Sequence, residues 1–518
     1  MYRIHEIKCS LKEDLSMIPE KIKRRMGIDG TNFIITDWKI RKESIDARDK
    51  GDILRVYTVD FEGTGPVKPS NLKGIEEVTP KEIPRIEMGT KALNNPPVII
   101  GFGPCGLFAA LTLAERGYAP VVYERGASME QRINDVNAFW GKGELKEESN
   151  VPFGEGGAGT FSDGKLTSGI KDIRIQKVLE EFVESGGGED LLYKQKPHIG
   201  TDVLRSVVVA LREKIIALGG EIYFNTKVTD ILTEGERIVG IEINGDERVA
   251  TDLVVLAMGH SARDTQRMLF ERGLKMEQKP FSMGLRIEHS QALINESQYG
   301  KSAMDVLGPA EYKLSHKAQN GRGVYTFCMC PGGYVICASS EKERLVTNGM
   351  SHRDRGSGKA NSGILVDVRP EDFQSDSPLA GVELQIRAEE KAYKASGCTY
   401  KLPKCTYKEL RDNKGQGPVI RGCLPEFVLE SILEAMPNFG RKIRGFDKDD
   451  AVFYGVETRS SSPVRLIRDG GYESSIKGLY PGGEGAGYAG GIMSASIDGI
   501  RIGEEIIKTY KRGTDNVG

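Results

Sequence analysis

Three stretches of the 518-residue sequence place glycine at one spacing, G-x-G-x-x-G: Gly101/Gly103/Gly106, Gly154/Gly156/Gly159 and Gly485/Gly487/Gly490. Glycine clusters let backbone approach a neighbour closely, and at a strand-to-helix junction that neighbour is a phosphate. Only the first cluster has that context. It follows the apolar run Pro97–Ile100 and opens the helix-like segment Leu107–Arg116, where Leu107, Ala110, Leu111 and Ala114 share one face. Gly101 permits the tight turn, Gly103 admits a pyrophosphate, and Gly106 lets helix and strand pack. Pro104 and the small Cys105 fit inside the same turn. The helix N-terminus adds N–H groups and the positive end of its dipole. Glu124 ends the next strand-like run, Pro120–Glu124, about 18 residues past Gly106 and near the roughly 20 of dinucleotide sites. Its carboxylate is placed to accept both hydroxyls of an adenosine ribose and would repel a 2′-phosphate, so NADP is disfavoured here. The chemistry indicated is dinucleotide binding.

The other two clusters sit inside longer motifs. One is Phe153-Gly154-Glu155-Gly156-Gly157-Ala158-Gly159-Thr160-Phe161-Ser162-Asp163, continuing through Lys165 to Leu166. Another is Thr226–Gly259, ending Val254-Val255-Leu256-Ala257-Met258-Gly259. The last is Leu479–Gly487, followed by Gly490-Gly491-Ile492 at the start of a helix. With Gly101–Gly106 and Glu124-Arg125-Gly126, these resemble, in order, the glutathione-reductase-like flavoproteins with two dinucleotide-binding motifs. The resemblance implies FAD. It implies that Arg125 and Arg132 attend the adenosine end, and that Gly156, Gly157, Thr160, Phe161, Ser162, Asp163 and Lys165 run along the pyrophosphate and ribitol. It implies that the Val228 backbone meets adenine, that Gly259 closes the signature strand, and that Gly483, Glu484 and Gly485 reach the ribitol. The helix opening at Gly490, Gly491 and Ile492 would face the flavin pyrimidine ring, where its dipole stabilises negative charge. Two positions depart from the group: Met258 replaces Thr, and Glu484 stands where Asp is usual. Phe153–Leu166, Gly455–Arg465, Leu479–Gly499 and Ser44–Arg48 narrow the resemblance to an uncharacterised bacterial family of FAD-dependent dehydrogenases. The implied activity is an FAD-dependent oxidoreductase; no substrate is implied.

Residues that could serve such a reaction are fewer. Arg459, in Glu457–Arg465, has hydroxyl neighbours and suits a carboxylate, a carbonyl or a developing negative charge; the plainer reading is a pair with Glu457 or packing at the domain junction. Arg286 and Glu288 alternate in Met283–His289 and would share a strand face, where a solvated face competes with a catalytic pair. His352, beside Arg353 in Asn348–Arg355, sits in either a loop near the flavin or a polar surface loop, and His260 directly follows Gly259. Cys328-x-Cys330, Cys337, Cys398, Cys405 and Cys423 show no C-x-x-C and no Cys/His zinc spacing. They read first as reduced core or strand cysteines, with a metal site or a redox dithiol at Cys328-x-Cys330 as the lesser reading, and no metal is expected.

These residues need elements to hold them. Residues 98–264 read as the first part of a Rossmann-like FAD-binding domain on a doubly wound parallel sheet, and 451–518 as its second part. Residues 265–450 read as an inserted α+β substrate domain, 1–60 as a small N-terminal α+β domain, and 61–97 as a linker. The fold class is α/β. No second strand–G-x-G-x-x-G–helix unit occurs in 265–450, so NAD(P)H would have to dock without such a domain, or a redox protein or the substrate itself would exchange electrons with the flavin. A net charge of −2 gives no support for nucleic-acid or anionic-membrane binding. The basic run Lys21–Arg25 keeps open one alternative, a flavin-dependent nucleic-acid-modifying enzyme or RNA-binding flavoprotein using the N-terminal domain. The N-terminus lacks a signal-peptide apolar region and no apolar run could span a bilayer, so the expected setting is cytoplasmic.

Overall fold

The computed structural model describes residues 1–66, 68–69, 72, 74–79, 83–300 and 304–512. Parts of the expected 61–97 linker, and residues 513–518 of the expected last segment, lie outside the described residues.

The chain begins with strand β1 (Tyr2–Ser10) and helix α1 (Ile18–Met26), followed by β2 (Ile34–Asp46), β3 (Leu54–Thr64) and β4 (Ile75–Glu77). The four strands form one antiparallel sheet in the order β2-β3-β1-β4. Ile18, Ile22 and Met26 are spaced to share one helix face, and all three are buried against this sheet's core. Strand β2 runs on to Asp46 because its backbone pairs with β3 down to Asp46–Leu54 while its side chains stay largely in water. The basic run on α1 is answered locally: Lys21 meets Glu13 at 2.8 Å, Lys23 meets Glu20 at 3.1 Å and Arg25 reaches Glu6 at 3.9 Å.

The central sheet starts with β5 (Val98–Ile100), which leads through Gly101–Gly103 into α2 (Pro104–Ala114). Strands β6 (Val121–Tyr123), β7 (Glu221–Tyr223) and β8 (Val254–Leu256) join it, all parallel. A fifth parallel strand, Leu479–Pro481, pairs with the outer edge of β8. The order is therefore Leu479–Pro481, β8, β5, β6, β7. Both strands flanking the first glycine turn, β5 and β8, are buried throughout, as parallel strands covered on both faces must be. A three-stranded antiparallel sheet, residues 228–250, is inserted before β8.

Residues beyond 280 build a six-stranded antiparallel sheet around β9 (Phe281–Ser290), β10 (Gly323–Pro331), β11 (Lys359–Val368) and β12 (Val452–Glu457), with Ser315–Lys317 and Lys404–Thr406 at its edges. Helix Glu426–Lys442 packs its apolar face on this sheet, with Ile432, Ala435, Met436 and Phe439 fully buried. The expected return to the FAD-binding domain at 451 comes later along the chain, since β12 pairs with β9 and belongs to this sheet. The chain then comes back to the central sheet through Leu479–Pro481 and ends in helix α3 (Ile492–Thr509). Helix α3 packs closely on α2, where a Cβ at Gly503 would stand 3.0 Å from Thr112. Its C-terminal end is tied to the segment before β5 by Gly89 N–H to Ile507 O and Lys511 N–H to Lys91 O. No helix among the described residues is long and apolar enough to cross a membrane.

Candidate flavin and substrate cavity

A cavity of about 590 Å³ lies where the central sheet meets the six-stranded sheet. Its first wall is backbone. Gly101 has φ +97, and a Cβ there would stand 2.5 Å from the Ala257 carbonyl oxygen. Gly103 and Gly157 approach so closely that a Cβ on Gly157 would lie 3.0 Å from Gly103 Cα. Helices α2 and α3 both open onto this cavity, and neither start carries a side-chain cap. Their first-turn N–H groups are thus left for a ligand, with two positive dipole ends aimed at one space.

Glu124 lines the cavity and is buried, but its carboxylate is already engaged. It accepts N–H bonds from Phe102 (2.8 Å), Gly126 (2.9 Å) and Gly154 (3.0 Å), tying three loops together. A carboxylate has about four acceptor sites, so capacity for a ribose hydroxyl remains. Arg125, Val228 and Gly259 also reach this wall. So do Pro104, Cys105, Gly157, Ser162, Asp163 and Lys165, and later in the chain Gly483, Glu484, Gly490, Gly491 and Ile492.

Other expected residues stand behind the wall. Arg132 is fully buried and donates to the carbonyls of Asn150, Val151, Glu155 and Gly157, so it shapes the loop from its far side. Phe161 packs under the guanidinium groups of Arg132 and Arg205, and Thr160 is buried with its hydroxyl on the Glu155 carbonyl. Gly106, Gly156 and Gly485 are packing glycines: a Cβ on Gly106 would overlap the Gly101 carbonyl, and one on Gly485 would lie 2.5 Å from Gly259 O. The Cys105 thiol is buried in the turn and burial pushes it well above its ordinary range, consistent with packing.

The opposite wall is made of side chains from the six-stranded sheet and its connections: Tyr325, Phe327, Cys328, Asn348, Arg459 and Ser460. Arg459 does not pair with Glu457. Its five N–H groups go to Glu389, Glu341, Ser261 and Ser340. Glu457 pairs with Arg286 instead, at 2.7 and 2.8 Å, because β9 and β12 are neighbouring strands. Arg286 is fully buried rather than on a solvated face, and its remaining donors reach Asn361, Asn348 and the Cys328 carbonyl. With five donors each and all of them used, neither arginine has one left for a substrate. His352 does not line the cavity and stands edge-on to Tyr334 at 6.1 Å. His260 does line it: its Nδ1 is 3.3 Å from Glu484, and its buried Nε2 has no protein partner.

Lys165, expected along the pyrophosphate and ribitol rather than among the residues for the reaction, is a cation on the cavity wall. It lines the cavity with Asp163 at 3.5 Å, longer than a hydrogen bond, which leaves ammonium donors for a ligand. Burial is the largest influence and would lower its pKa, but Asp163, Cys330, Cys328 and Glu311 together outweigh it and hold Lys165 above the ordinary lysine value. Asp163 is in turn held low, against burial, by Lys165, Arg355 and His198, and it accepts a 2.5 Å bond from Ser351. The alternation Ser162-Asp163-Gly164-Lys165 was the available signal.

The residues fit FAD. The Gly103–Gly157 cradle, two uncapped helix starts and the unpartnered His260 Nε2 all call for an elongated, anionic, hydrogen-bonding ligand.

Comparison with known proteins agrees. Residues 280–460 match a family described as FAD-dependent protein, C-terminal domain-like, and residues 1–62 match a domain of unknown function. An "uncharacterized protein" of Clostridium beijerinckii is 44% identical over 98% of this chain and 99% of its own length. A digeranylgeranylglycerophospholipid reductase of Haloferax volcanii is 29% identical over 165 residues, 32% of this chain and 35% of the relative. Among solved structures, glycine oxidase from Bacillus cereus aligns with 80% of this chain and 98% of its own, at 13% identity and a TM-score of 0.35.

Proposed function

The chain belongs to one family with its Clostridium beijerinckii relative along its whole length, and its residues 280–460 match a family of FAD-dependent proteins; from that premise we propose an oxidoreductase acting on a small molecule held between the FAD-binding region and the six-stranded sheet. The observation that carries this reading is the two-sided cavity. One wall is glycine backbone and helix starts, suited to a dinucleotide; the other carries Tyr325, Phe327, Cys328, Asn348 and the Arg459 cluster, suited to a second ligand. Bound FAD supplies the two-electron chemistry, and the protein supplies orientation and charge.

The chain's own residues divide that work. Gly101 and Gly103 with the first turn of α2 would hold the pyrophosphate, and Glu124, which orders the turn, would reach the adenosine ribose. Glu484 and His260 offer polar atoms on the cavity wall. Lys165 and the start of α3 bring positive charge to the cavity wall, where it would stabilise an anionic ring or substrate. Arg459 and Arg286 are positioning residues: their saturated networks fix the shape of the substrate wall. Electrons come from or go to NAD(P)H or a redox protein.

Purified protein is expected to be yellow, with FAD released on denaturation. Anaerobic titration with NADH and NADPH, then a metabolite screen on the resulting redox form, identifies the electron partner and the substrate. A colourless protein that cannot be reconstituted with FAD overturns the reading.

A further inference from the structure

Strand β10 carries an irregularity that the proposed reaction leaves unused. Its register against β11 shifts between Phe327 and Cys330, so the residues between them bulge out of the ladder. Cys328, on the bulge, has φ +41, a left-handed conformation uncommon for a side chain of its kind. Bulges re-aim side chains, and this one puts Cys328 on the cavity wall beside Phe327 and Asn348.

Cys330 stands directly behind. It is fully buried, and its Sγ lies 3.3 Å from the Cys328 carbonyl oxygen. Space for it depends on Gly349, where a Cβ would come within 2.9 Å of the Cys330 sulfur. Residues two apart on a strand span at most about 6.6 Å, inside the roughly 7 Å that a disulfide can bridge.

Two cations serve this pair. Arg286 donates to the Cys328 carbonyl at 3.3 Å, and Lys165 shares the cavity wall with Cys328. The Cys330 hydrogen bond, then Lys165 and Arg286, hold the Cys328 thiol below its ordinary value despite burial, while the same neighbour and burial raise Cys330. Cys328 is thus the sulfur that ionises more readily and Cys330 the one that keeps its proton, the asymmetry that thiol–disulfide chemistry uses. The pair also lies at the flavin end: Lys165 follows the Gly157–Phe161 turn, and a Cβ on Gly159 of that turn would stand 3.0 Å from Ile492 at the start of α3.

We propose that Cys328 and Cys330 are a redox-active dithiol that exchanges an electron pair with the flavin in this cavity. The inference rests on the FAD reading above. In the oxidising direction the Cys328 thiolate and the Cys330 thiol form an Sγ–Sγ bond and release two electrons and one proton, all taken up by the oxidised flavin. In the reducing direction the same bond breaks and takes them back. The site would then process a thiol or disulfide, or use the pair as an electron store.

The test is an anaerobic reductive titration of flavin-loaded, air-oxidised protein, wild type against Cys328→Ser/Cys330→Ser, with alkylation and peptide mass analysis of residues 323–337. The wild type is expected to take up about twice the electrons per flavin of the double variant. Its peptide should resist alkylation at 328 and 330 before reduction and accept label at both afterwards. Equal electron uptake, with both cysteines alkylated in the air-oxidised wild type, overturns the dithiol and leaves the flavin reading standing. A wild type that binds no flavin overturns both. Should the double variant fail to fold, the wild-type alkylation pattern decides alone.

Discussion

The two walls of the cavity are built on opposite principles. The wall facing the central sheet is shaped by main chain: glycines and two helix starts, tied together by the Glu124 carboxylate, with side chains such as Asp163, Lys165 and Glu484 set into it. The wall facing the six-stranded sheet is almost all side chain, held by the buried networks Arg459–Glu389–Arg263 and Arg286–Glu457. A main-chain wall accepts one shape of ligand and cannot be retuned without displacing backbone. A side-chain wall can be altered residue by residue while the cofactor stays in place. The difference implies a fixed cofactor and an adaptable substrate.

The largest expected effect breaks the first wall. Gly106→Val would drive side-chain atoms into the Gly101 carbonyl, so flavin content in the purified protein should fall to near zero. Retention of flavin would show that the glycine turn is not essential. Next comes the second wall. Glu389→Ala removes the fully buried one of the two carboxylates that Arg263 and Arg459 share, leaving only Glu341, and should cost about 3–5 kcal/mol in chemical unfolding while bound flavin persists. Loss of flavin with modest destabilisation would collapse the distinction between the walls.

A smaller effect arises where the walls meet. Burial depresses His198 to about 4, and His198 bonds Ser351, which in turn bonds Asp163. An unfolded histidine titrates near 6.5, so between pH 6.5 and 4 the unfolded state binds the extra proton. Stability is full above that window and falls as pH falls through it, by at most about 1.4 kcal/mol per pH unit. Melting temperature measured from pH 7 to 4.5 should show this slope. His198→Asn should reduce the slope without abolishing it, because burial also depresses His289 to about 4. The smallest effect lies outside both walls. Lys21→Ala breaks a surface pair with Glu13 and should change stability by no more than about 1 kcal/mol, with flavin content unaltered.

The same division explains what could be read from sequence. Main-chain sites need glycine at fixed local spacing, so Gly101–Gly106 announced itself within a dozen residues, and the later clusters gained meaning by resemblance. Side-chain sites need partners far along the chain. The neighbour that sequence offered Arg459 was Glu457, but strand pairing gives Glu457 to Arg286, and Glu389 arrives from a helix some 70 residues upstream. Cys328 reads as an ordinary strand cysteine until the bulge turns it toward the cavity, and no composition rule marks a bulge. Arg132 fell at a suggestive spacing, yet it serves carbonyls behind the loop, because four carbonyl acceptors converge there.

The closing strand and helix carry a consequence for biosynthesis. The central sheet is completed by Leu479–Pro481, and α3, whose first turn faces the cavity, follows at Ile492. A chain emerging from the ribosome therefore has the first glycine turn exposed long before the elements that complete its site exist. Contacts between residues separated by most of a chain form late, and until then apolar strands such as β5 and β8 lack their full cover. Cofactor capture is thus a late event, set by completion of the C-terminus rather than by synthesis of the motif that first identifies it. Chains truncated before Leu479 should be aggregation-prone and flavin-free, however intact their Gly101–Gly106 turn.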